Sequence, residues 1–479
     1  MKIFIVLLAI TCAPFTYGEK AAKEKITLKE ALENAYRTNQ FLGQVEYELK
    51  SSHESLSAAK REWFPQASIS TKGSVGFSYE SKTDARFPVN DRKNHSQTNS
   101  ANAQVQITQN LFNGGATYAQ IKATQRNADG SQAKYRSAES SLFLNTVKAY
   151  SDYVKKLAIY KLRKATQAVL EESLSVVQSQ YDLGEKTISD VATTQAKLEE
   201  SKARITLAKA DLEVSISNFE KVVGFAPNEN LENPISFKDI PTSKKDAQEV
   251  ALKQSYEIHL ADAAADTARE QTKIARKDML PSLDLQATGS RALQGNWHKQ
   301  YPGHFSKTQA NSAEAAATLT IPLDFRGSVQ ARVRGQKYAA AQKRMEALYK
   351  RREVLDSVTN AWEKYQAALA QIKQYKSQVK ASKIAFESTT EEYNVGSKTT
   401  LELLEAEAKY SEAQINLVAA RQDYVQNSYE LAHAVGLLNP AALNLTVDEF
   451  IPNKHKESRP VWGLGIGKDR RGYDLDAKG

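Results

Sequence analysis

A chain of 479 residues with a single cysteine, Cys12, cannot rest on a disulfide framework. Chain breakers are scarce as well. Twelve prolines and 21 glycines leave long stretches of Ala, Gln, Glu, Lys, Ser and Leu uninterrupted, a mixture that favours long helices with polar faces. Mean hydropathy is -0.54, and beyond residue 20 no apolar run reaches the roughly 18 residues of a helical membrane span. His53, His95, His259, His298, His304, His433 and His455 are scattered without metal-ligand spacing. No phosphate-binding loop, dinucleotide fingerprint or local nucleophile signature is present. The residues therefore offer no catalytic constellation, cofactor site or metal site.

A formal net charge of +9 is the usual cue for an anionic partner. Here Lys and Arg alternate with Glu and Asp along the helical stretches, as on a solvated helix face. Part of the excess lies in a tail, 453–479, that carries Lys454, Lys456, Arg459, Lys468, Arg470, Arg471 and Lys478. That composition predicts a disordered extension rather than a nucleic-acid module. At the other end, residues 1–18 read as a secretory signal: Lys2, an apolar core from Ile3 to Ile10, and Thr16-Tyr17-Gly18 as the cleavage region. An N-terminal anchor is the alternative, but the apolar run is short for a span. A lipid-modified Cys12 is another, disfavoured by Thr11 before it.

The chain is written twice. Gln180-Tyr-Asp-Leu-Gly-Glu-Lys-Thr187 aligns with Glu392-Tyr-Asn-Val-Gly-Ser-Lys-Thr399, an offset of 396 − 184 = 212 between the glycines. The same offset relates Val223-Gly224 to Val435-Gly436, and Ile107-Thr108 to Leu319-Thr320. A nearby offset, 281 − 65 = 216, pairs Phe64-Pro65 with Leu280-Pro281. The halves fall near residues 26–238 and 247–450.

Each half has one plan. A helix ending at proline, 26–63 or 247–279, is followed by two stretches that alternate apolar and polar residues as half-buried strands do. Ala67, Ile69, Val75, Phe77 and Tyr79 oppose Ser68, Ser70, Lys72 and Ser74; Val105 and Ile107 oppose Gln104 and Gln106. Leu283 and Leu285, then Ala313, Ala315, Ala317 and Leu319, continue the pattern. Residues 81–100 and 294–312 read as polar loops between strands of about ten residues. Long proline-free stretches, 116–181 and 328–393, then repeat apolar residues at coiled-coil spacing: Val147, Tyr150, Val154, Leu157 and Val358, Trp362, Tyr365, Leu369. Gly184 and Gly396 break them, and a return helix follows each break.

One-sided apolar strands suit a transmembrane β-barrel, with a small soluble β-sandwich as the alternative. Four strands cannot close a barrel across a bilayer, so membrane strands require several copies of the chain. In its order of elements the chain resembles the TolC, or outer-membrane-factor, family over residues 26–450. Asn110-Leu-Phe-Asn-Gly-Gly115 at the strand-to-helix junction, the two glycine turns and the two Gly-terminated return helices carry the resemblance. Thr38-Asn39-Gln40, where the family often has Asn-Pro, is a mild departure.

The resemblance implies a mainly α fold with a membrane β part. Tandem helical hairpins would form a trimeric α-barrel below a shared twelve-stranded outer-membrane β-barrel. It implies a homotrimer in the outer membrane of a Gram-negative bacterium, surrounded by lipid, with a long periplasmic portion. Such a duct gives efflux or type I secretion its exit path, without enzymatic activity, cofactor or nucleic acid, and docks a periplasmic adaptor and an inner-membrane transporter. Asp190 occupies the place of the acid that ties the gating helices, and Tyr393 and Lys398 those of its partners, with Lys398 where the family often has Arg. Glu402 and Glu405 match acidic positions ringing the constriction. Leu183, Gly184 and Thr187, with Val395, Gly396 and Thr399, form the turns expected to meet the adaptor. From the residues alone these charges equally suit a solvated helix face; a catalytic pairing of Glu402 with Glu405 fits poorly on such a surface. A periplasmic coiled-coil adaptor is the rival reading, but it leaves four symmetric amphipathic strands unexplained.

Overall fold

The computed structural model describes residues 25–82, 92–228, 230–298 and 305–447. The expected signal, 1–18, and the tail, 453–479, lie outside them. The order is α1 (Leu28–Thr38), α2 (Gln40–Arg61), β1 (Gln66–Lys82), β2 (Arg92–Asn113), α3 (Ala116–Asp182) and α4 (Ile188–Val223). The second half repeats it as α5 (Lys244–Gln254), α6 (Tyr256–Ala275), β3 (Ser282–His298), β4 (Phe305–Thr320), α7 (Ser328–Asn394) and α8 (Thr400–Val435). Helices α3 and α7 have 67 residues each, and α4 and α8 have 36 each. The two offsets now have a place: β1 and β3 start 282 − 66 = 216 apart, α3 and α7 328 − 116 = 212 apart. The four-residue difference falls between the paired strands, outside the described residues.

Two expectations need correction. The opening helix of each half is not continuous. Asn39 has an extended backbone, and its side chain accepts from the Leu42 N–H at 3.0 Å, ending α1 and starting α2. Ser255 divides α5 from α6 at the equivalent place, 255 − 39 = 216. Short polar side chains compete with the helix ladder and favour such caps. The entry caps repeat too: Thr27 forms a reciprocal capping box with Glu30, and Ser243 accepts from the Asp246 N–H at 3.1 Å. Second, the strands have 16 to 22 residues, so pairing runs far into the segments read as loops. Backbone pairing does not depend on apolar alternation, so the ladder continues where both faces are polar.

The sheet is antiparallel throughout, in the order β1-β2-β3-β4. Among the described residues no helix is long and apolar enough to cross a membrane. Below the sheet, α1 packs on the first hairpin through Ala31, Tyr150, Tyr153, Leu212, Phe219 and Val223. In the matching core, α5 packs through Ala247 and Ala251 on Val354, Val358, Leu431 and Val435. Leu32, Phe143, Val147, Phe237, Val425 and Tyr429 join the halves across α3 and α8. A smaller cluster, Leu170, Leu198 and Leu404, holds α3, α4 and α8 together further from the sheet.

Candidate functional site

The sheet and the hairpin turns stand at opposite ends of the long helices, about 100 Å apart at roughly 1.5 Å per residue. On the sheet, register sorts chemistry by face. Ile69 lies opposite Val105, and Ala67 opposite Ile107; the ladder continues through Ala287 to Ala315. Ile69, Val75, Phe77, Val105, Ile107, Leu285 and Leu319 are all exposed, an arrangement that is unfavourable in water and favourable in lipid. The other face carries hydroxyls and amides. Ser74 and Ser100 hydrogen-bond at 2.6 Å, and their repeat mates Ser290 and Ser312 at 2.7 Å. Near the helices the Asn110 amide donates to Asp284 Oδ1 at 2.6 Å. Each chain thus presents a polar wall on one side and an apolar wall on the other, with β1 and β4 as unpaired edges.

At the far end the two turns have the same construction. Gly184 and Gly396 adopt φ of +80° and +83°. The Glu185 N–H reaches back to Gln180 O at 2.8 Å and the Ser397 N–H to Glu392 O at 2.9 Å, closing each helix in a Schellman motif. Left-handed backbone is what glycine supplies there, since nothing lies within 4 Å of an added Cβ at either position. Thr187 and Thr399 then cap the return helices. The Thr187 N–H and hydroxyl donate to the Asp190 carboxylate at 3.0 and 2.7 Å, and Asp190 N–H returns a bond at 3.2 Å. Thr399 treats Glu402 in the same way at 2.9, 2.9 and 3.3 Å. Sequence reasoning missed that Asp190 and Glu402 are repeat mates, 402 − 190 = 212, in one structural role. The T-x-x-D/E spacing was the signal for it.

The structure does not join Asp190, Tyr393 and Lys398 to one another within the chain. Asp190 is taken up by Thr187. The hydroxyl and backbone of Thr187 hold its carboxyl below the usual range, with smaller help from the Thr400 hydroxyl and the Lys186 charge. The buried Thr400 Oγ1 makes no hydrogen bond of full geometry, so its part is proximity rather than a formed bond. Lys398, in the turn before α8, pairs with Glu402 in the first turn of that helix at 2.9 Å. The Thr399 backbone, Lys398 and the Thr399 hydroxyl lower the Glu402 carboxyl to about 2, and Glu402 in turn raises Lys398. Tyr393 instead bridges the halves: its hydroxyl donates to Gln180 Oε1 at 3.2 Å, and Lys186 Nζ lies 4.4 Å above its ring. Gln180 and Lys186 were not singled out from the sequence, because a contact between hairpins depends on their relative rotation. Glu405 is exposed one turn beyond Glu402. Leu183 and Val395 are the apolar tips of the turns, 75% and 79% exposed.

A further acid escaped notice. Glu407, 7% exposed on α8, has its carboxyl pushed up to about 7 by burial. Its repeat mate is the exposed Gln195, 407 − 195 = 212.

The family model described as outer membrane efflux protein matches residues 29–224 and 248–437. The outer membrane efflux protein BepC of Brucella suis biovar 1 is 27% identical over 448 residues, covering 93% of this chain and 92% of that one. The outer membrane protein TolC of Salmonella enteritidis is 22% identical over 470 residues, covering 96% and 91%. In fold, the chain is similar to the Campylobacter jejuni CmeC outer membrane channel, with a TM-score of 0.71 at 17% identity over 85% of each chain. With both halves matched, this chain belongs to the outer membrane efflux protein family and is a channel subunit of the outer membrane with a periplasmic helical portion.

Proposed function

We propose that three copies assemble into one duct, each lending four strands to a twelve-stranded barrel and two hairpins to a helical tunnel. The observation that carries this reading is the exposed flank of α7. Tyr338, Met345, Leu348 and Tyr349 are between 47% and 74% exposed on one stretch of that helix. Covering such side chains contributes about 1.5–3 kcal/mol each, and a second copy of the chain supplies the cover. Unpaired edges at β1 and β4 require the same partner, because an open ladder in lipid leaves backbone groups unsatisfied.

In this reading the hydroxyl- and amide-lined face encloses water, and the duct is the exit path for efflux or type I secretion. The turns around Gly184 and Gly396 meet a periplasmic adaptor through Leu183, Thr187, Val395 and Thr399, and an inner-membrane transporter delivers cargo behind it. Asp190, Tyr393 and Lys398 serve as gate residues, and Glu402 and Glu405, repeated by threefold symmetry, line an acidic collar that favours cations. Support for the gate comes from the contacts that already tie one hairpin to the other at Tyr393. Planar-bilayer recording tests the whole: the protein should give discrete, cation-preferring channels of low conductance. A protein that gives no channels, and cross-links only as a monomer in native membranes, contradicts it.

A further inference from the structure

The apolar face of the sheet carries a charge in its second half where the first half carries an apolar residue. Val75 is exposed on β1; its repeat mate on β3, 291 − 75 = 216, is Arg291, exposed on the same face between Gly289 and Leu293. The ladders place that arginine relative to the membrane. On β1 the apolar residues of this face run up to Tyr79, on β2 to Ala101, on β3 past the arginine to Leu293, and on β4 without a break to Ala313, Phe305 following beyond Lys307 in the same register. In register Ala101 lies opposite Gly73, and Ala313 opposite Gly289, which continues to Val105 and Ile69. The upper limit therefore slides from position 79 to 73 to 69 in β1 numbering, as a horizontal plane does across tilted strands. On β3 the Ala101 level is Leu293 and the Ala313 level is Gly289. Arg291 lies between these two levels, with Leu293 continuing the face above it.

This upper limit is on the side away from the helices and so faces the outer leaflet. Just above it on β4, Asn311, Gln309 and Lys307 follow one another on the same face, and Asn311 lies directly opposite Arg291. Lys307 is exposed, and neither cation has an ion-pair partner among the described residues. No Asp or Glu occupies this face on any of the four strands; the acids Asp284 and Glu314 belong to the opposite register. Two cations and two amides above an apolar wall, with no acid to compete, complement an anionic amphiphile seated upright. Guanidinium offers a fork for phosphate oxygens, and the residues below offer a surface for acyl chains.

We propose that the β3–β4 face binds the phosphorylated glycolipid of the outer leaflet, with Arg291 and Lys307 as its phosphate ligands and Gln309 and Asn311 as additional donors. The inference rests on the barrel reading, and its test separates the two. The full-length protein, extracted and delipidated, is placed in phosphatidylethanolamine nanodiscs containing a minor share of bisphosphorylated lipid A, and retained lipid is counted by native mass spectrometry. Wild type should enrich lipid A over phosphatidylethanolamine. Arg291→Ala with Lys307→Ala should lower that enrichment about tenfold, as expected for losing charge-assisted bonds. Arg291→Lys should fall in between, and Lys72→Ala on the polar face should change nothing. Lipid A stripped of phosphate and phosphatidylglycerol should both be retained weakly, and inorganic phosphate should not displace bound lipid A. Undiminished retention in the double variant, equal loss in Lys72→Ala, or equal retention of dephosphorylated lipid or phosphatidylglycerol would overturn the site. Each variant is also recorded in planar phospholipid bilayers. Channels like those of the wild type show that the barrel is intact, so lost retention then reports the site. A wild type without channels overturns the barrel reading and the lipid site with it.

Discussion

Helices α3 and α7 are repeat mates of equal length, yet α3 buries 22 of its 67 residues and α7 buries six. The difference is not one of apolar content. Where α7 exposes Tyr338, Met345, Leu348 and Tyr349, the matching positions of α3 hold Arg126, Ala133, Arg136 and Ser137. The first copy of the helix lies inside the chain, covered by α2, α4, α6 and α8, and carries small or charged residues at these four positions. The second has large apolar residues on a face that no described element of its own chain covers. Duplication produced two equal helices; their surfaces then diverged according to what covers each.

The largest effect should come from attacking that divergence. Met345→Asp together with Tyr349→Asp would bury two unpaired carboxylates in the contact between copies, a cost of several kcal/mol. Cross-linking in membranes should lose its threefold ladder while circular dichroism retains its helical signal. A double variant that still cross-links as a trimer would mean that α7 faces solvent or some other partner.

Next in size is the far end, where the halves also differ. In the second turn Lys398 reaches Glu402 at the start of α8; in the first, Asp190 is one methylene shorter, and Lys186 lies over Tyr393 of the other hairpin. Two doubles separate a latch within the chain from one between copies. Tyr393→Ala with Lys186→Ala removes the contact between hairpins, and Asp190→Ala with Lys398→Ala removes two charges whose hydrogen-bonded partners within the chain lie only in their own turns. Links of this kind are worth about 0.5–3 kcal/mol each, so channel conductance should rise several-fold in whichever double breaks the lock. Tyr393→Phe keeps the ring under Lys186 and should act more weakly. If neither double conducts above wild type, the gate lies elsewhere.

Much of this was readable in the sequence, and the reasons are local. Period-two alternation marks the strands wherever lipid lies on one side, as at Ile69 and Val105, and heptad-like spacing marks α3 and α7. Gly184 and Gly396 announce the turns because only glycine takes that backbone cheaply. What escaped was decided by competition or by distance. Asn39 and Ser255 lie in helix-favouring surroundings; a side-chain cap divides the helices at Asn39, and extended backbone alone does so at Ser255. The strands outrun their apolar pattern because hydrogen bonding continues into water. Lys186 meets Tyr393 through the packing of two hairpins, which no spacing within either one encodes.

Glu407 and Gln195 give a comparison that pH can sharpen. The buried carboxyl of Glu407 titrates near 7, against 4.5 for an ordinary glutamate. Below 4.5 it is neutral both folded and unfolded. As pH rises from there towards 7 the unfolded chain releases its proton first, so stability falls, by about 3 kcal/mol at most, and stays lower above 7. Glu407→Gln installs the residue of its mate and should remove that loss. Its dissociation midpoint should match wild type near pH 5 and exceed it at pH 8. Equal midpoints at both pH values would show that the carboxyl finds a partner or water in the assembly.

The smallest effect tests the paired caps. Asn39 accepts from the Leu42 N–H, whereas Ser255, at the same point of the second half, makes no side-chain cap bond. Replacing a working cap by alanine costs about 1 kcal/mol, and replacing an idle one costs little. Asn39→Ala should therefore lower the denaturation midpoint of the chain measurably, with Ser255→Ala close to wild type. Ser255 is nevertheless buried, at 5% exposure, so its hydroxyl is not simply solvated. If Ser255→Ala proves as costly as Asn39→Ala, that hydroxyl has a partner in the assembled protein, and the break between α5 and α6 is held from outside the helix rather than by its cap.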